Sequence, residues 1–333
     1  MATSVLRIGI TGCGHAAHVH LRRLLGLKGV KVVGCADPDA DAAQSLVAEV
    51  GALGSDHGPA ASFADHRELL RQSALDALAI FTPHLAHYRP AMDALQAGCH
   101  VFVEKPLSTN VQEAVDIVGL ARGRNRKVAV GHQYRLRPSL AEARRRLAAG
   151  SIGVLRLVVA TLAQPWLESH QGSENSWRFD AKVAGGGILA DVGDHLIDAV
   201  LWTTGQVAAE VAAFQNRIGS GLDVVTSAAI RLADGTPVTL ALSGVSAGSL
   251  FELTFFGERG RLRATDETLV EENSEGARAV PLAETSESID GNFIAALTAG
   301  VPLCCPAEEA VETVRLLEAI ARSATTGEVV RLA

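Results

Sequence analysis

Aromatic side chains make up only 4% of the chain, and methionine occurs twice. Basic residues number 30 against 37 acidic ones, a formal charge of −7, and no Lys/Arg block is accompanied by the aromatic stacking surface that nucleic-acid binders carry. Nucleic acid is therefore not an expected partner. No apolar run reaches the roughly 18 residues of a membrane span, and the N-terminus enters a strand-like run at Val5–Thr11 without a signal-peptide hydrophobic region. No membrane partner is expected, and the expected location is cytoplasmic. The five cysteines, Cys13, Cys35, Cys99, Cys304 and Cys305, are scattered and form no CxxC pair, which argues against a disulfide framework or a thiolate metal cage. They read as reduced small hydrophobes. Cys13, inside a glycine-rich turn, is the one placed to meet thiol reagents.

What is present is a chain of 333 residues, 48% apolar and 20% charged, enough for two domains with a core each. From residue 5 to about 132, short β-branched or apolar runs alternate with segments of helical periodicity, the pattern of a parallel sheet with crossover helices. Strands are expected at Val5–Thr11, Val30–Ala36, Ala77–Phe81, His100–Glu104 and Lys127–Gly131. Helices are expected at Ala16–Leu27, Pro38–Val50, His84–Ala97 and Asn110–Asn125. Beyond a helix at Pro138–Ala149, strand-like runs follow one another at 154–163, 207–216, 224–232, 237–243 and 249–256, implying an antiparallel sheet. One helix, Ile188 to Thr204, interrupts them. Two more, Ile289–Thr298 and Ala307–Ser323, close the chain, and the Glu- and Ser-rich stretch 271–288 reads as an exposed loop or edge. The expected division is a doubly wound α/β domain at 1–131 and an α+β domain at 132–333.

Gly12-Cys13-Gly14-His15-Ala16-Ala17 follows the first strand and opens the first helix, giving the GxGxxA form of the dinucleotide fingerprint. Gly12 suits the tight turn, Gly14 lets backbone N–H groups approach a pyrophosphate, and Ala17 permits close helix–strand packing. Asp37 ends the next strand, where a carboxylate accepts hydrogen bonds from the adenosine ribose and repels a 2′-phosphate. NAD is thus favoured over NADP. Glu104-Lys105-Pro106 follows the strand at His100–Glu104, on the carboxyl edge where open α/β sheets bind ligands, and Pro106 restricts the backbone next to Lys105, through a cis bond if it adopts one.

A second cluster begins with three consecutive glycines, Gly185 to Gly187, and continues through Asp191, His195 and Asp198. On a helix starting after the glycines, Asp191 and His195 stand at i and i+4 on one face, with Asp198 a further turn along. Glycine runs cost conformational entropy and mark places where a backbone approaches a ligand or another backbone. Upstream lie Trp166, His170, Trp177 and Arg178, which read either as a sugar-binding surface or as packing and ion-pairing groups. The eleven histidines show no HxxE or HExxH spacing, so no metal site is expected.

The GxGxxA turn leading to His18 and His20, Thr82-Pro83 with His87, Glu104-Lys105-Pro106, Trp177-Arg178 and GGGxLxDxGxHxxD at 185–198 occur in this order across residues 5 to 205. Jointly they resemble the Gfo/Idh/MocA oxidoreductase family, named for glucose–fructose oxidoreductase and inositol dehydrogenase. Two departures are His84, where many relatives have asparagine after Thr-Pro, and Ala17 in place of a third glycine. The resemblance implies a Rossmann domain followed by a large, mainly antiparallel, open-faced sheet used for substrate binding and for assembly into a homodimer or homotetramer. It places catalysis on Lys105, Asp191 and His195. Cofactor contacts fall on Gly12, Gly14, His15, Ala16, Asp37, Thr82, Pro83, His87, Glu104 and Lys105, and substrate contacts on Lys105, His132, Arg178, Asp191 and His195. The activity implied is NAD(P)-dependent hydride transfer from a secondary alcohol of a sugar, inositol or related polyol, with either His195 or Lys105 as base. The alternatives are a NAD-dependent glycoside hydrolase that oxidises its substrate transiently, and a non-catalytic ligand-binding regulator.

Overall fold

The computed structural model describes residues 5–53, 58–170, 176–218, 221–285 and 287–332. The chain forms two compact units. One comprises Met1–Ser108, Gln112–Gly131 and Glu287–Glu309, the other Thr109–Val111, His132–Ser286 and Ala310–Ala333.

In the first unit six parallel strands, β1 (Leu6–Thr11), β2 (Val30–Ala36), β3 (Ala61–Phe63), β4 (Ala77–Ile80), β5 (His100–Val103) and β6 (Val128–Val130), lie in the order β3-β2-β1-β4-β5-β6. The crossovers carry helices α1 (His15–Leu25), α2 (Ala40–Leu53), α3 (His66–Gln72), α4 (Tyr88–Gln96) and α5 (Val111–Gly123). The central strands are near-continuous apolar runs, because a parallel sheet is covered by helices on both faces and leaves few positions for polar side chains. β3 and α3 were not expected from the sequence. β3 is a short, largely exposed edge strand, and α3 is only seven residues long, started by the Asp65 carboxylate accepting from the Arg67 N–H. Neither extends far enough for its periodicity to stand out.

The second unit holds α6 (Pro138–Ala148), β7 (Leu155–Ala163), α7 (Trp166–His170), α8 (Ala181–Ala184), α9 (Asp194–Thr204) and eight further strands. These are β8 (Ala208–Ile218), β9 (Leu222–Leu232), β10 (Pro237–Ser243), β11 (Leu250–Gly257), β12 (Gly260–Thr265), β13 (Leu269–Asn273), β14 (Gly276–Ala279) and β15 (Val330–Arg331). The sheet order is β14-β13-β12-β11-β7-β10-β9-β8-β15. It is antiparallel except where β7 and β10 pair in parallel. β10, and β9 from Val224 onward, alternate between buried and more exposed positions, so one face packs and the other stays open. Ile230, Leu232, Val238, Leu240 and Leu242 on the packed face meet Leu196, Ile197 and Val200 of α9 in one core. The stretch read as a loop or edge contributes β13 and β14, the terminal strands at one side of the sheet.

The helix expected from Ile188 begins instead as a π-helical turn, Leu189–Gly193, running into α9. The glycine run ahead of it serves backbone packing. Gly185 adopts φ +71°, a Cβ on Gly186 would come within 2.7 Å of the Ala190 Cβ, and one on Gly187 would lie 2.0 Å from the Asp223 carbonyl oxygen. The Asp223 carboxylate fastens the turn by accepting from the Gly187 and Leu189 N–H groups, at 2.9 and 2.8 Å.

α10 (Ile289–Thr298), expected within the second domain, packs in the first unit. Its Phe293 ring lies 5.8 Å from Phe102 of β5, and its Ala296 carbonyl accepts from Lys127 Nζ. α11 (Ala307–Thr326) then leads the chain into the second unit, where Leu316 and Ile320 join the core. A contiguous reading of sequence has no means of detecting such a return, because an apolar helix face does not name its partner.

Gly187→Ala is expected to lower the free energy of unfolding by about 3 kcal/mol, the upper range for overpacking against backbone. Gly248→Ala, where an added Cβ meets nothing within 4 Å, should change it by less than about 0.5 kcal/mol. Urea denaturation of the two variants checks this, and equal stabilities would refute it.

Candidate active site

The glycine turn sits where the carboxyl ends of β1, β2 and β4 lie side by side. Gly12 has φ +82°, and a Cβ there would come within 2.5 Å of the Phe81–Thr82 peptide, so the turn presses directly on the end of β4. Gly14 differs, since a Cβ would meet nothing within 4 Å. It precedes α1 without any side chain capping the helix, and Gly14 and His15 are exposed while Ala16 is half-buried. This open, donor-rich helix start fits a pyrophosphate. Ala17 is fully buried, as close helix–strand packing demands. Asp37 Oδ2 accepts from the Cys13 N–H at 2.7 Å and Oδ1 from the Asp39 N–H at 2.9 Å, so the carboxylate is fixed at the mouth of the turn.

The expectation for Cys13 is not met. Its thiol is buried, lies 3.6 Å from the Ala36 carbonyl, and has its pKa pushed far up by burial and by the neighbouring Cys35 and Asp37. That suppresses the reactive thiolate.

Lys105 follows β5 on the same edge, partly exposed, and its bond to Pro106 is cis. Its backbone N–H donates to Glu104 Oε2 at 3.0 Å. Glu104 Oε1 lies 3.0 Å from His20 Nε2, and His20 Nδ1 lies 2.6 Å from Asp290 Oδ1 on α10. The His20 ring stacks on Phe81, with centroids 4.6 Å apart. Burial works against a charged ring there, but hydrogen bonds to Asp290 and Glu104, and the charges of both, hold its pKa up at about 9. His87, expected among the cofactor contacts, is fully buried. Its Nδ1 is 2.7 Å from the Pro106 carbonyl and its Nε2 2.9 Å from the Thr82 carbonyl, with its pKa lowered by burial. It therefore holds the two loops rather than presenting its ring to a dinucleotide. Thr82 donates its hydroxyl to the Ala86 carbonyl at 3.1 Å, and Pro83 begins the short turn that leads through His84 to α4.

In the second unit Asp191 lies in the π-helical turn. Its Oδ2 accepts from Trp166 Nε1 at 2.8 Å and from Arg178 Nε at 2.7 Å. Arg178 also lies over the Trp177 ring, 4.4 Å from its centroid. Of the two readings of this stretch, Trp166 follows packing: it is fully buried and offers no face to a sugar. His195 is buried and stacked on Tyr134, with ring centroids 4.4 Å apart and planes at 10°. Asp191 and His195 thus sit on a π-helical turn and on α9 rather than on one regular helix, since the π turn widens the helix between them.

His132, expected to touch substrate, is enclosed by carboxylates. Nε2 lies 2.6 Å from Asp194 Oδ2 and Nδ1 3.4 Å from Asp198 Oδ1. Burial opposes its charged form, yet the Asp198 and Asp194 charges raise its pKa. Asp198 also binds Arg135 through both oxygens, at 2.9 and 2.6 Å, and although burial works against its ionisation, His132 and Arg135 hold its pKa below the usual carboxylate range. Asp198 is therefore an anchor for α9 and not an extension of the Asp191–His195 face. Sequence reasoning also missed Asp223 and Asp290, since neither carries a motif, and gave Tyr134 no role.

With its pKa raised from 6.5 to about 9, His20 contributes stability that is complete below pH 6.5 and disappears as pH climbs through 9. Asp290, Glu104 and the Arg23 guanidinium 3.6 Å from Asp290 are the charged groups concerned. The loss expected is roughly 3 kcal/mol. Urea midpoints of wild type and His20→Gln at pH 6.5 and 9.5 test it, and parallel pH slopes in the two proteins would refute the assignment.

Residues 6–132 match the model of the GFO_IDH_MocA oxidoreductase family with NAD-binding Rossmann fold, and residues 140–263 match the GFO/IDH/MocA C-terminal domain. The levoglucosan dehydrogenase of Pseudarthrobacter phenanthrenivorans is 30% identical over 148 residues, 44% of this chain and 38% of that protein. Inositol 2-dehydrogenase 1 of Saccharopolyspora erythraea is 33% identical over 151 residues, 44% of this chain and 43% of that one. In both, the match spans less than half of the relative's length. A levoglucosan dehydrogenase structure, complexed with NADH and levoglucosan, superposes with a TM-score of 0.86 at 20% identity, over 98% of this chain and 99% of that one, a likeness of fold. With a dinucleotide turn of fitting geometry and both halves matched in order, the chain belongs to the Gfo/Idh/MocA oxidoreductases and its N-terminal unit is their NAD-binding Rossmann fold.

Proposed function

We propose that this protein is a NAD-dependent dehydrogenase that oxidises a secondary alcohol of a sugar, an inositol or a related polyol. The observation that carries the reading is Lys105, held by its backbone at the carboxyl edge that also bears the dinucleotide turn. Relatives named for levoglucosan and inositol support the substrate class. The Gly12–Ala16 turn would hold the pyrophosphate and Asp37 the adenosine ribose, which favours NAD over NADP.

The chemistry NAD supplies when bound is acceptance of a hydride from the carbinol carbon. Lys105 donates a hydrogen bond to the reacting oxygen and stabilises the developing alkoxide. His195 takes the hydroxyl proton, its ring plane fixed by the Tyr134 stack, imidazole being the side chain suited to proton transfer near neutrality. Asp191, oriented by Trp166 and Arg178, accepts from a neighbouring substrate hydroxyl, and Arg178 reaches substrate beside it. His132 acts one step back, by holding Asp194 and Asp198 on the helix that carries His195.

The open face of the nine-stranded sheet serves assembly of a homodimer or homotetramer. Phe214, 78% exposed on β8, pairs across to Ser227 and, beyond it, Ala241, with Ala212, Ala229 and Thr239 forming the adjacent row. Small, uncharged side chains around one exposed ring make a surface suited to a second copy. The five free cysteines suit the reducing cytosol, where the protein is placed by this reading. Among the described residues no helix is long and apolar enough to cross a membrane.

A panel of inositols, hexoses, pentoses and sugar acids with NAD⁺ or NADP⁺, followed by absorbance of the reduced cofactor, tests the activity. Turnover with NAD⁺ is expected, and Lys105→Ala should lower it at least about 100-fold. Reduction of NADP⁺ alone would refute the role of Asp37, and glycoside cleavage without net NADH would replace the dehydrogenase by a hydrolase. Light scattering of Phe214→Asp should give a smaller assembly than wild type. An unchanged mass would remove the open face as the interface.

A further inference from the structure

The Lys105 backbone is gripped from both sides by buried imidazoles. On the N-terminal side its N–H donates to Glu104 Oε2, and Glu104 Oε1 meets His20 Nε2, which is backed by Asp290 at 2.6 Å. On the C-terminal side the Pro106 carbonyl lies 2.7 Å from His87 Nδ1. The Glu104 carboxylate lies against the Gly131 backbone, where an added Cβ would come within 2.6 Å of Oε1 and 3.0 Å of Oε2. Glycine at 131 is what leaves space for the carboxylate. The His20 ring, in turn, stacks on Phe81 and packs at a tilt on Phe102, with centroids 4.6 and 5.3 Å away, and these contacts favour one ring orientation.

We infer that His20 is a positioning residue for Lys105, acting through Glu104 and braced by Asp290. The inference rests on Lys105 being the catalytic lysine proposed above. A buried imidazole bonded to two carboxylates is a costly arrangement that an apolar trio of similar volume would match in stability. What it supplies beyond cohesion is direction: each partner fixes the next, from α10 to α1 to the end of β5, and the last link is the peptide group of the lysine itself. A shift of about 1 Å in such a group costs on the order of 100-fold in rate. Glu104 and His20 therefore act on turnover without touching the reacting atoms.

Two variants test this, Asp290→Asn, which keeps the shape of the brace, and His20→Phe, which keeps the ring packing and removes both hydrogen bonds. Each is made in the wild-type and the Lys105→Ala protein. Turnover is measured with the alcohol and NAD⁺ pair of highest rate in the panel above, NADH affinity by fluorescence titration, and backbone mobility by hydrogen exchange of residues 100–108 without added nucleotide. The expected result is a fall in kcat of at least about tenfold in the wild-type background but less than about twofold on top of Lys105→Ala, since a lysine that is absent has no position to lose. NADH affinity should stay within about threefold, and exchange should quicken at residues 104–107 while α1 keeps its protection. Equal losses in both backgrounds, or faster exchange spread over the whole unit, would overturn the inference in favour of a merely structural role. So would a folded Asp290→Asn protein with wild-type kcat. Persistence of turnover in Lys105→Ala alone would instead bring down the role of the lysine itself.

Discussion

An imidazole buried between two carboxylates occurs in each unit, and the segments that carry the candidate catalytic groups hang from it. In the first unit Asp290 and Glu104 bracket His20, and Glu104 holds the peptide N–H of Lys105. In the second, Asp194 and Asp198 bracket His132, and both carboxylates belong to α9, the helix of His195. Arginines complete each cluster, Arg23 near Asp290 and Arg135 on Asp198. A buried ion pair of this kind adds little net stability, because removing two charges from water costs about as much as their attraction returns, while loss of one partner costs about 3–5 kcal/mol. Such clusters specify position more than they add cohesion.

Close backbone approach supplies the rest of the rigidity. Gly12 lies against the Phe81–Thr82 peptide, Gly131 against the Glu104 carboxylate and Gly187 against the Asp223 backbone. At each contact a methyl group would occupy space already filled, so the loops are pinned by what their residues lack. Gly14 is the counterexample within the same turn, open on the side where α1 presents its N-terminal donors.

Much of this was legible in advance. The alternation of apolar runs and helical segments names the doubly wound sheet, and the later change to successive strands names an antiparallel one, because periodicity follows burial on two faces or on one. The placement of GxGxxA, Asp37 and Lys105 was legible because it depends on local turns and strand ends. Asp191 and His195 could be named as a pair but not oriented, since a π-helical turn is invisible to an i, i+4 count. Residue type left Trp166 open between sugar contact and packing, and the resemblance put His132 at the substrate, whereas the fold buries Trp166 against Asp191 and His132 between two aspartates. Asp290, 270 residues from His20, gave no sign at all.

The sequence by itself determined the two architectures, the dinucleotide turn and the identity of the residues available for chemistry. Those features are encoded in short-range spacing, which backbone geometry reads within a strand or a turn. Only the tertiary structure decided that 287–309 returns to the first unit, that the Asp223 backbone lies against Gly187, and which carboxylate faces which imidazole. Each of those depends on side chains far apart in the chain meeting in a low-dielectric interior, where an unpaired charge is too costly to leave and a partner must be found by folding.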